Sequence, residues 1–185
     1  KAKAMVVVAS RVEAVRWQLA IEKYIKANGY DIGTLVAFSG EVFDKESGPD
    51  GFTEHSKSLN PNLRGRKIEK AFEGTEYQIL LVANKFQTGF DQPLLCGMYV
   101  DKRLAGIQAV QTLSRLNRAH PGKDTTYVLD FVNNADEVLE AFRVYYTTAE
   151  LSATTDPNLV YNLRAKLDAA GHYDDFEVDR VVAVE

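Results

Sequence analysis

The segment QTLSRLNR, residues 111–118, sets Gln111, Arg115 and Arg118 at i, i+4 and i+7. That spacing predicts a helix with all three side chains on one face, about one turn apart. A guanidinium is permanently charged and presents a fork of donors that matches phosphate oxygens. Two on one face could stabilise charge developing on a transferring phosphoryl group. The plainer reading is a pair of arginines solvating a helix face. Three other polar clusters each follow an apolar run: Ser10-Arg11, Ser39-Gly40 and NKFQTGFDQP at 84–93. In the last, Gly89 precedes Phe90 and Asp91, so a carboxylate stands beside a residue that lets backbone approach closely, an arrangement suited to a ribose hydroxyl. Plain readings exist here too: Ser10 as a helix N-cap, Ser39-Gly40 as a turn, Gly89 and Pro93 as loop punctuation.

The elements that must position these residues are legible in the hydrophobic pattern. Met5 to Ala9 form a continuous apolar run of the kind found in a central parallel strand, and GTLVAF (33–38), YQILLVA (77–83), CGMYVD (96–101) and TTYVLDF (125–131) read as further strands. Helices are predicted between them. Arg11 to Ala27 carries Ala14, Trp17, Ile21, Tyr24 and Ile25 near the helical period, with Gly29 as its stop. LRGRKIEKAFEG (63–74), LAGIQAVQTLSRLNRA (104–119) and NADEVLEAFRVYY (134–146) are the others. Residues 39–62 are rich in Gly, Ser, Pro and Asp without apolar periodicity, which predicts a long functional or mobile loop. Alternating strands and helices specify an α/β three-layer sandwich with a mostly parallel sheet. In such sheets ligands bind outside the carboxyl ends of the strands, where the three polar clusters fall. The expected domain covers residues 1–149. Residues 150–185 read as a polar linker and a C-terminal helical extension that opens a following region.

Composition narrows the function. The chain has 185 residues and a net charge of −4, without the global basic character of a protein lying wholly along nucleic acid, so any phosphate contact must be local. The single cysteine, Cys96, is expected in the core; it excludes an internal disulfide and a cysteine-cluster zinc site. No apolar stretch reaches the roughly 20 residues of a membrane span, and the expected location is cytoplasmic. The opening KAKAMVVVAS and the closing VDRVVAVE predict a piece of a longer polypeptide. No G-x-x-x-x-G-K-[ST] loop and no G-x-G-x-x-G follows a strand, and His55, His120 and His172 lack metal-ligand spacing. A self-contained enzyme is not expected.

The order of the pieces resembles the second RecA-like domain of a superfamily 2 helicase or translocase. AMVVVASR (4–11) looks like motif IV, ILLVANKFQTGFDQP (79–93) like motif V, and QTLSRLNR (111–118) like motif VI with its Q-x-x-x-R-x-x-R skeleton. The wording from Val82 to Phe131 is similar to the motor portion of the R subunit of type I restriction endonucleases. Ala83 stands where many relatives carry threonine, and Thr88 is expected in its place. The resemblance implies that Arg115 and Arg118 reach the γ-phosphate of an ATP held with Mg²⁺ by a preceding RecA-like domain, Arg118 as the stronger finger. It implies that Gln111 couples nucleotide state to the interface, and that Gly89 and Asp91 contact the ribose or the opposing domain. Ser10, Arg11, Ser39, Gly40, Lys85 and Thr88 would line the DNA track, touching phosphates because a translocase moves along any sequence. The implied partners are double-stranded DNA, the preceding RecA-like and nuclease domains, and methyltransferase and specificity subunits. Two other readings remain open: an RNA helicase or remodelling ATPase of the same superfamily, and a non-enzymatic module whose arginine face docks a protein.

Overall fold

The computed structural model describes residues 1–86 and 89–150, with residues 146–150 as backbone only. Strands β1 (Lys3–Val8), β2 (Thr34–Ala37), β3 (Ile79–Ala83), β4 (Leu95–Asp101) and β5 (Tyr127–Asp130) form one sheet in the order β2-β3-β1-β4-β5. Every pairing is parallel, so the sheet expected to be mostly parallel is wholly so. Helices α1 (Arg11–Asn28), α2 (Ile68–Glu73), α3 (Ile107–Leu113) and α4 (Ala135–Glu150), with a 3-10 turn over Ser114–Asn117, complete the described elements.

Alternation along the strands explains the three layers. Met5, Val7, Leu35, Leu80, Val82 and Met98 point to one face, where they pack with Ile68 and Phe72 of α2 and Ala109 and Leu113 of α3. Val6, Val8, Val36, Leu81 and Ala83 point to the other, against Ala14 and Val15 of α1. The apolar runs are continuous because both faces are covered. Ser10 starts α1 as its N-cap: its Oγ accepts from Glu13 N at 3.1 Å while the Glu13 carboxylate accepts from Ser10 N at 2.8 Å. Gly29, at φ +66°, closes the helix in the left-handed conformation.

Two helix expectations are corrected. The helix expected over 63–74 begins only at Ile68, because Arg64 and Gly65 both have positive φ, 51° and 75°, which no helix accommodates. The helix expected over 104–119 runs from Ile107 to Leu113, tightens into a 3-10 turn over Ser114–Asn117, and leaves Arg118 extended at φ −72°, ψ 122°. Gln111, Arg115 and Arg118 therefore do not share an α-helical face. Ser114 Oγ donates back to the Gln111 carbonyl at 3.3 Å, and Pro121 disfavours helical backbone at His120.

Residues 39–62 form the long loop expected, and side-chain contacts hold it in one arrangement. Val42 and Phe52 pair across an antiparallel bridge, and both are buried with Phe38 and Leu59 beneath α1. Polar side chains fix the rest. Arg16 grips Asp44 through two hydrogen bonds of 2.8 and 2.7 Å, and Asn60 lies along β2, accepting from Val36 N at 3.0 Å and donating to Val36 O at 2.8 Å. Asn60 thereby takes the place of a neighbouring strand at the sheet edge. Cys96, expected in the core, is half-buried and donates to the Leu94 carbonyl at 3.2 Å.

At the other end of the sheet, Val138, Ala141 and Phe142 of α4 pack on the core, while Leu139 and Tyr145 are exposed. Lys1–Phe142 forms one compact unit. Thr88 and the linker and helix expected beyond residue 150 lie outside the described residues. Among the described residues no helix is long and apolar enough to cross a membrane.

Candidate functional site

Parallel pairing brings the carboxyl ends of the strands together: Val8 stands opposite both Ala83 and Asp101, and Ala37 opposite Val82. Ser10 and Arg11 leave from β1, Ser39 and Gly40 from β2, and Lys85 from β3, so five of the six residues expected along the nucleic-acid track share one end of the sheet. Ser39, Gly40 and Lys85 line a groove of about 500 Å³ together with Thr53, Glu54 and His55. Arg11 adjoins it, its Nη1 donating to the carbonyls of Ser39 at 3.1 Å and Glu41 at 3.2 Å. The Ser10 hydroxyl is engaged in the cap of α1.

Lys85 is flanked by two non-glycine residues in the left-handed region, Asn84 at φ 55° and Phe86 at φ 61°, a conformation uncommon outside glycine. Its ammonium donates to both oxygens of Glu54, at 2.6 and 2.8 Å, and sits over the Phe86 ring at 5.1 Å. Glu54 also accepts from Phe38 N at 3.1 Å. Nothing local in the sequence singles out Glu54, because its partner lies far along the chain. Lys102 donates to the Asn84 side chain at 2.6 Å, and burial pulls its pKa below the ordinary lysine value.

The run 84–93 does not stay at this end. Because β4 is parallel to β3, the chain must return to the amino end of the sheet, where Leu95 stands opposite Lys3. On the way Phe90 is buried between Phe72 and Phe86, with ring centroids 6.1 and 5.2 Å away. Gly89, at φ +71°, turns the chain into that anchor. The two arginines meet this returning segment. Arg115 Nη1 donates to the Phe90 carbonyl, and Arg118 Nε lies 3.3 Å from Asp91 Oδ1. Burial pushes the Arg115 pKa down, the nearby Arg118 charge acts in the same direction, and Asp91 opposes both. The arginines thus face Phe90 and Asp91 from the 3-10 turn and the extended residue after it. Gln111 lies in α3, its carbonyl accepting from Ser114.

The two groups could serve different chemistries. The Arg118–Asp91 pair is half exposed on both sides, 55% and 66%, and a pair of that kind exchanges partners readily. Arg115 is committed to backbone and partly sheltered. Among the described residues no group of three His, Cys, Asp or Glu could hold a metal ion.

Residues 32–133 match the family described as type I restriction enzyme subunit R domain 3. A type I restriction enzyme endonuclease subunit of Methanocaldococcus jannaschii, MjaVIIP, is 31% identical over 158 residues, 81% of this chain and 15% of the relative. The SauCOLORF180P endonuclease subunit of Staphylococcus aureus strain COL is 29% identical over 115 residues, 62% of this chain and 12% of the relative. The chain therefore spans less than a sixth of the length of these relatives. Among solved structures, the C-terminal domain of the DEAD-box protein Dbp5 is similar with a TM-score of 0.43 and 15% identity, over 78% of this chain and 70% of that one.

Proposed function

The chain belongs to the type I restriction enzyme subunit R domain 3 family, and on that premise we propose that it is the second RecA-like half of an ATP-driven motor that pulls duplex DNA before cleavage. The observation that carries the proposal is the convergence of Arg115 and Arg118 on the segment Gly89–Asp91. Arg118 is the finger in this reading. Its exposed pair with Asp91 can be exchanged for a phosphate, whereas Arg115 stays on the Phe90 carbonyl and fixes the segment. Asp91, once released, is available to a ribose hydroxyl or to the facing domain, and Gln111 couples nucleotide state to the interface.

ATP and Mg²⁺ belong mainly to the preceding RecA-like domain, since this chain has no phosphate loop. DNA phosphates would lie over Arg11, Ser39, Gly40 and Lys85, with Ser10 holding α1 in place and Thr88 completing the track. The nuclease domain, and the methyltransferase and specificity subunits, would supply cutting and site choice.

The test uses the full-length subunit. Arg118→Ala is expected to lower DNA-stimulated ATPase activity by about 10³-fold, the scale of an arginine finger, while duplex binding persists. Arg118→Lys is expected to restore little, because an ammonium lacks the planar fork. Turnover near wild type in Arg118→Ala would overturn the assignment, and stimulation by RNA but not by duplex DNA would change the substrate.

A further inference from the structure

We propose that Glu54 is a built-in competitor for the DNA phosphate: it occupies the donors of the strand-end groove and keeps the Lys85 charge compensated, so that Lys85 is withheld from the backbone phosphates. The inference rests on the proposed DNA track and adds to it a residue that sets how tightly the track holds.

The geometry is that of an anion site already filled. The Lys85 ammonium and the Phe38 N–H converge on one carboxylate, at 2.6, 2.8 and 3.1 Å. A lysine together with a main-chain N–H is the donor set that takes the oxygens of a phosphodiester. Both side chains are partly sheltered, Glu54 14% exposed and Lys85 27%, at the wall of an open groove of about 500 Å³. Water screens such a pair less than one on the open surface.

A plainer role for Glu54 would be to pin the 39–62 segment, but that task is done elsewhere. Arg16 holds Asp44, and Asn60 holds both Val36 and the Glu54 carbonyl, the latter at 2.7 Å. The Glu54 backbone is thus fixed independently of its carboxylate. With its backbone fixed, the side chain stays opposite Lys85 and the same donors must be contested by any incoming phosphate.

Neutralising Glu54 should therefore release a cation for DNA. In the full-length subunit, duplex affinity measured across a salt series is expected to rise several-fold in Glu54→Gln, whose amide oxygen still accepts from Phe38 N. Its salt slope should steepen by about 0.9, the increment for one additional phosphate contact. Lys85→Gln is expected to weaken binding several-fold, because it leaves Glu54 beside the phosphate path. The double variant should return to the wild-type slope. Opposite signs in the two single variants are the signature, since a structural pin would make both weaken binding. If wild type binds but Glu54→Gln is unchanged or weaker, or melts far below wild type, Glu54 is structural and this proposal alone falls. If wild type fails to bind duplex DNA at any salt, the track reading falls with it.

Discussion

Strand β2 ends the sheet against an ordered, irregular segment, whereas no described strand lies beyond β5, the opposite edge. On the β2 side the Asn60 amide satisfies both backbone groups of Val36, and Glu54 accepts from Phe38 N. On the β5 side Tyr127 is 69% exposed and Leu129 52%, because α1 packs on β1, β2 and β3. The sealed edge shows that an edge can be closed by one polar side chain from distant chain. The other edge shows what the sheet presents where no such device lies among the described residues. The candidate nucleic-acid groove lies at the closed side, and Phe38 and Glu54 of that closure also line it.

The comparison breaks if the two edges respond alike to substitution. The largest effect is expected at Asn60, which is almost fully buried. Asn60→Ala leaves Val36 N–H and C=O without their partner and is expected to cost about 2–4 kcal/mol in a urea titration, from the penalty of unsatisfied buried groups. Tyr127→Ser, at the β5 edge, is expected to stay within about 0.5 kcal/mol, as exposed substitutions do. Equal losses would show that the amide contributes no closure.

A second test uses pH. Arg16, and after it Ser47, hold the Asp44 carboxyl well below the usual carboxylate range. A carboxyl depressed on folding contributes stability that is full above its unfolded value of about 3.9 and is lost as pH falls towards the folded value. Exchange of the Ser47 and Gly48 amides, which donate to the Asp44 carbonyl, should accelerate below about pH 4. In Asp44→Asn it should be fast already at neutral pH and lack that acid step. An unchanged acid step in this variant would assign the transition to another group. The smallest effect concerns the β5 edge. Leu129→Lys should leave stability within about 0.5 kcal/mol and reduce self-association at high concentration, because a charge blunts an exposed strand. Light scattering that shows no difference would mean that this edge does not template pairing.

What the sequence disclosed follows the same division. Runs such as Met5–Val8 and Leu80–Ala83 were legible because burial on both faces leaves an unbroken apolar signature. The gathering of Ser39, Gly40 and Lys85 at one end of the sheet followed from parallel topology alone. The order in residues 39–62 was not legible, because it depends on polar partners far apart in the chain: Arg16 with Asp44, Asn60 with Val36, Lys85 with Glu54. The shift from α3 to a 3-10 turn was hidden for another reason. Ser114, Arg115, Leu116 and Asn117 suit either geometry, and the choice is made by Pro121 downstream and by the acceptors at Phe90 and Asp91.

That turn divides the labour of two identical side-chain types. One guanidinium is seated on a carbonyl that cannot lose its charge density or leave its backbone; the other faces a solvent-wet carboxylate. In the proposed motor Arg115 would be a pivot and Arg118 a latch. The segment carrying Gly89, Phe90 and Asp91 would be unfastened at one end without coming off its mount, so that a change of partner at Arg118 would reach Asp91 while the buried Phe90 ring keeps its seat.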